Sequence, residues 1–156
     1  MKDRHDSAVR AGDRASSLAL FSYASSVTIT PICLVELSAV FSLSLSQGSS
    51  IEAVRSLFIV VTLTGSTFIA ATLGKMRSLG IGAVVMGAGL VLYAFAPVYG
   101  AVLLASVLVG AGGGLLEALI NPLVQELHPK DSGRHLNVVN AFFSVVAVAL
   151  KKKRHA

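Results

Sequence analysis

The chain has 156 residues, 54% of them hydrophobic and 13% charged, where an ordinary soluble domain carries about 25% charged residues; this excludes most water-soluble folds and points to an all-α membrane protein. The net charge is +5, but the basic residues are scattered between hydrophobic runs instead of gathered on one surface, which argues against a nucleic-acid partner. The lone Cys33 rules out a disulfide framework or a Cys-based metal site within one chain.

Residues 1–17 read as a solvated polar tail. Apolar runs follow at 18–45, 56–73, 79–99 and 101–124, with a shorter fifth at 136–150. A bilayer core of about 30 Å needs roughly 20 helical residues, so the first four runs are expected to span fully and the fifth in part. Helix is expected over strand because an open sheet in lipid leaves backbone groups unsatisfied. The first run is too long, and too far into the chain, for a cleavable signal peptide.

Orientation follows from Lys and Arg in the connecting segments. With the N-terminus in the cytoplasm, the inner segments hold Lys2, Arg4, Arg10, Arg14, Lys75, Arg77, Lys130 and Arg134, while the outer ones between the first four runs hold only Arg55. The expected setting is an integral membrane protein with its N-terminus in the cytoplasm, and the expected membrane is the bacterial inner (plasma) membrane. The basic tail at 151–156, carrying Lys151, Lys152, Lys153 and Arg154, falls on the wrong side for this pattern. It is expected to be a truncation or frame-shift scar, with a true C-terminal end whose lysines snorkel, or whose last helix does not cross, as the alternative.

Glycine gathers in the third and fourth runs, and Gly110-x-x-x-Gly114 has the spacing for close helix packing in lipid. Two of the eight acids, Glu36 and Glu117, fall inside apolar runs. A charge at the centre of an inserted helix costs about 2.5–3.5 kcal/mol and usually faces a bundle interior or a water-filled cavity. Asn121 and Gln125 follow Glu117 at i+4 and i+8, so the three share one side of a helix. Pro122 predicts a local break beside them. Glu36 has Pro31 and Cys33 nearby but apolar residues, Ala39 and Val40, at i+3 and i+4. With both helices centred in the bilayer, the acids are offset axially by about 10 Å. That suits two separate stations, one for a proton and one for a polar solute.

The string Leu116-Glu117-Ala118-Leu119-Ile120-Asn121-Pro122-Leu123 resembles the fourth-helix signature L-E-x-x-x-N-P-F/L of the fucose:proton symporter group in the major facilitator superfamily. Leu136-Asn137-Val138-Val139-Asn140-Ala141-Phe142-Phe143 resembles the same group's L-N-x-x-N-x-F-x at the start of helix five. The resemblance covers roughly residues 18–150. It implies four full transmembrane helices plus a partial fifth, part of the N-terminal six-helix half of such a transporter, with a solute site near the midplane between two halves. It also implies substrate recognition and coupling at Glu117, proton translocation at Glu36, and a solute contact at Asn140. Two departures stand out. The superfamily's G-x-L-A-D-R-x-G-R-R loop is replaced by Gly74-Lys75-Met76-Arg77-Ser78-Leu79-Gly80, without the Asp, and a common fourth-helix Arg is replaced by Ser106, so that no buried cation is expected beside the acid.

The expected function is proton-coupled transport of a small polar, sugar-like solute, with Glu117, Asn121, Gln125 and Asn140 contacting the solute and Glu36 and Glu117 handling the proton. The expected partners are the lipid bilayer, the solute, protons, and either the missing C-terminal half or further copies of the chain; no cofactor or metal is expected. The alternative is a small self-associating membrane scaffold in which the acids are structural. An enzyme is not expected: no H-E-x-x-H or G-x-S-x-G pattern occurs, and His5, His128, His135 and His155 lie in polar segments.

Overall fold

The structure is a computed structural model that describes residues 12, 14, 17–19, 21–24, 26–27, 30, 37, 39, 41–129, 131–134, 137 and 141. Three helices are established: α1 over Leu45–Leu73, α2 over Lys75–Phe95 and α3 over Tyr99–Leu127. Each is long and apolar enough to cross a membrane. Among the described residues there is no strand, as an all-α chain requires. Of the four expected full spans, three are established among the described residues. The expected run at 18–45 is described only at scattered positions, 17–19 and 21–24 among them, which are helical. Glu36, Asn140 and the tail at 151–156 lie outside the described residues, as does most of the expected run at 136–150.

The helix boundaries correct the sequence reading in three places. Residues 46–55, read as an outer connection, form the first turns of α1. The helix starts at a capping box: the Gln47 N–H donates to Ser44 Oγ at 3.2 Å, and the Ser44 N–H donates to Gln47 Oε1 at 3.0 Å. Ser49 and Ser50 then donate to the carbonyls of Leu45 and Gln47, each at 2.8 Å. A serine-rich stretch whose hydroxyls are satisfied by its own helix does not have to leave it.

The second correction concerns the connection between the second and third runs. It shrinks to one residue, Gly74, with φ of 84°, a value that suits glycine because it has no Cβ. Its N–H donates to Ala70 O at 2.9 Å to close α1, and α2 begins at once with Lys75. Third, α2 stops at Phe95, not Tyr99. Ala96 is extended (ψ 114°) because Pro97 disfavours helix in the residue before it. The chain re-enters helix at Tyr99 and runs unbroken through Pro122 to Leu127, so the break expected at Pro122 does not end the helix.

The bundle is organised around α3. Both α1 and α2 pack along it, while they touch each other little. Glycines set the distance. A methyl group on Gly110 would collide with the Arg55 carbonyl of α1, and one on Gly114 would lie 2.6 Å from the Ile59 carbonyl. One on Gly112 would lie 2.6 Å from the Gly82 carbonyl of α2. The spacing Gly110-x-x-x-Gly114 thus serves the α1 contact and Gly112 the α2 contact, as expected where small residues let backbones meet. Around this centre Met86, Val102, Val109, Leu116 and Ile120 are buried, while Leu57, Val60, Val61 and Phe68 of α1 and Val84, Val91 and Phe95 of α2 face outward. A continuous apolar surface of this kind is costly in water and is what a bilayer solvates.

Candidate functional site

The site is built on one face of α3. Leu115, Leu116, Leu119, Ile120, Leu123 and Val124 are buried, whereas Glu117, Asn121 and Gln125 are exposed. The three polar side chains recur one turn apart on a helix whose other faces are mostly covered. They run from near the middle of α3 toward its end at Leu127.

A second segment supplies a fourth group. The Tyr23 hydroxyl donates to Glu117 Oε2 at 2.6 Å across 94 residues of sequence, at the short end of the O–H···O range. A ring edge lies near Gly113, where a methyl group would come 3.4 Å from Cε2. The consecutive glycines 112, 113 and 114 therefore turn to three neighbours, α2, Tyr23 and α1, as steps of about 100° along a helix require. Among the described residues, the side chains of Asn121 and Gln125 have no hydrogen-bond partner.

The nearest enclosed cation among the described residues belongs to another helix and is paired elsewhere. Arg55, read as an outer-segment charge, is inside α1, and its side chain is 11% exposed. Its Nε donates to Glu52 Oε2 at 3.0 Å, and Nη2 pairs with Oε1. Its backbone lies against Gly110, seven residues before Glu117 and thus about 10 Å along the axis of α3. Ser106, where the resembled pattern has Arg, instead shares a buried 2.7 Å hydrogen bond with the Tyr93 hydroxyl of α2 and donates to Val102 O.

Both ends of the bundle are tied. The Tyr99 hydroxyl lies 2.6 Å from Ser50 Oγ and donates to Gln47 O at 3.2 Å, joining the starts of α3 and α1. At the other end Lys75 pairs with Glu126, joining the start of α2 to the last turn of α3. Two shallow grooves, one lined by Arg77, Gly80, Ile81, Val84 and Val85 and one by Leu18, Ser22, Met76, Leu79 and Ala83 among others, contain none of the stripe residues. Among the described residues no three His, Cys, Asp or Glu side chains gather to hold a metal.

Of the residues singled out from sequence, Glu117, Asn121 and Gln125 are brought together. Tyr23 and Arg55 join this region without having been singled out. Arg55 had a local signal, the i,i+3 spacing from Glu52 downstream of the S-x-x-Q box; Tyr23 had none, because its role depends on a contact distant in sequence. Comparison with protein-family models, with curated proteins and with solved structures finds no match to this chain.

Proposed function

We propose that this chain is the N-terminal part of a proton-coupled secondary transporter for a small, polar, sugar-like solute, held in a bacterial inner membrane with its N-terminus in the cytoplasm. The observation that carries the reading is the exposed stripe Glu117, Asn121 and Gln125 on the helix most enclosed by its neighbours. A carboxylate and two amides turned to lipid would each be costly, about 2.5–3.5 kcal/mol for the acid alone. A polar cavity, closed by further helices, removes that cost. In it, two amides offer donors and acceptors and a carboxylate offers acceptors, a set that matches the hydroxyls of a neutral sugar. Glu117 recognises the solute and carries a proton, Asn121 and Gln125 orient the solute, and the resemblance to the fucose:proton symporter group adds Asn140 and Glu36.

The test is uptake of labelled D-glucose, D-galactose, L-fucose and D-xylose by cells expressing the full-length transporter, with external alkalinisation recorded alongside. Wild-type cells should accumulate at least one sugar together with protons. Glu117→Gln should lower that uptake by at least about tenfold, the scale of one lost charge-assisted hydrogen bond. Uptake unchanged in Glu117→Gln would sink the role of the acid. No uptake of any sugar, with stable self-association of the purified chain, would favour the scaffold reading.

A further inference from the structure

Tyr23 meets the stripe through a short hydrogen bond and packs a ring edge near Gly113. Its hydroxyl donates to Glu117 Oε2 at 2.6 Å, and Gly113 lies one turn before Glu117 on the same helix. Glu117 is nonetheless exposed, so the carboxylate is open to a donor arriving from outside the chain. A turn further on, Asn121 offers an amide with no partner among the described residues. The Tyr23 hydroxyl thus sits where a solute hydroxyl would bind if Glu117 recognises solutes.

We infer, resting on the transporter reading above, that Tyr23 is a specificity-determining residue whose hydroxyl holds the solute's place. It occupies Glu117 Oε2 in the empty site and yields it to a hydroxyl of a neutral, polyhydroxylated solute. The exchange is donor for donor. Withdrawing Tyr23 with nothing in return would lose the short bond to Oε2, and a solute hydroxyl at the same point restores it. A solute lacking that hydroxyl cannot repay the displacement, so it is rejected by a group left unpaired instead of by a clash. The ring and the hydroxyl have separable tasks: the ring packs on Gly113, and the hydroxyl competes.

Tyr23→Phe keeps the ring and removes the competitor. In proteoliposomes of the full-length transporter, with D-galactose, L-fucose and D-glucose as probes, the variant should lower KM for the transported sugar about threefold to tenfold, the range of one net hydrogen bond, and leave the maximal rate within about twofold. A purely structural tyrosine would instead reduce the active fraction and leave KM where it is. Vibrational difference spectra of the purified protein supply a readout independent of transport. Each probe that binds should shift the tyrosine hydroxyl bands of the wild type, and that signal should be missing from Tyr23→Phe. A KM that is unchanged or raised overturns the inference, and so do tyrosine bands that none of the three sugars moves. Glu117-dependent uptake with silent tyrosine bands overturns this inference and leaves the transporter reading standing. Tyrosine bands that respond without any uptake overturn the transporter reading, and with it the role of Tyr23 in transport, and leave only sugar binding at Glu117.

Discussion

Arg55 and Glu52 place opposite charges within one turn of α1, where the backbone of Arg55 meets Gly110 of α3. The guanidinium is far more enclosed than the carboxylate, at 11% against 41% exposed. Removing the partner of an enclosed charge costs more than removing both charges. Glu52→Gln should therefore destabilise the protein by about 1–3 kcal/mol, less than for a fully buried pair because Glu52 is partly exposed. Glu52→Gln with Arg55→Met should recover a good part of that loss. Thermal unfolding in detergent reads both; a double variant that loses the sum of the two single losses would show that the charges are uncoupled. Residue type and spacing made the shared, exposed face of Glu117, Asn121 and Gln125 legible, because a one-turn polar repeat on an apolar helix places its members on one side. Tyr23 was illegible for a physical reason: an aromatic residue in an apolar run looks the same whether its hydroxyl meets a carboxylate or a backbone carbonyl. Arg55 was misassigned because polarity was equated with the end of a helix, whereas a helix can keep an ion pair at i,i+3.

The close contacts between helices make a graded prediction. A methyl group at Gly112 meets the backbone of α2 from both Gly82 and Met86, whereas one at Gly87 on α2 meets nothing within 4 Å. Backbone cannot move aside as a flexible side chain can, so Gly112→Ala should destabilise by about 1–3 kcal/mol through overpacking. Gly87→Ala should be neutral, or stabilising by up to about 1 kcal/mol, because alanine favours helix. Detergent melting of the two variants side by side checks this; equal melting temperatures would show that the α2–α3 contact is looser than the structure describes. The existence of three long apolar helices was legible from length and hydropathy alone. Their ends were not. Ser44 and Gln47 form a capping box that the sequence spells out as S-x-x-Q, yet the polar residues after it mask that start. The one-residue link at Gly74 leaves no trace in composition, since a glycine before Lys75 and Arg77 also suits a longer loop.

At the scale of the whole molecule, the ties at the two ends of the bundle provide landmarks for orientation. Ser44 and Val98 lie at the end where Tyr99 meets Ser50, while Gly74 and Asp131 belong to the end where Lys75 meets Glu126. With the native Cys33 replaced by serine, cysteines at Ser44 and Val98 should react with a membrane-impermeant maleimide in intact cells. Cysteines at Gly74 and Asp131 should react only after permeabilisation. The opposite labelling pattern would reverse the proposed topology. Which helices pair was only half legible: glycines common to α2 and α3 hinted at their contact, whereas α1 offers the backbone of Arg55 and Ile59, not glycines of its own, to Gly110 and Gly114. That arrangement also has a bearing on biosynthesis. Helices α1 and α2 are joined by a single residue but find little in each other, and the helix both require is made after them. Until residues 99–127 leave the ribosome, α1 and α2 wait as a hairpin without a shared core, so the pairing of these three helices is governed by the arrival of α3.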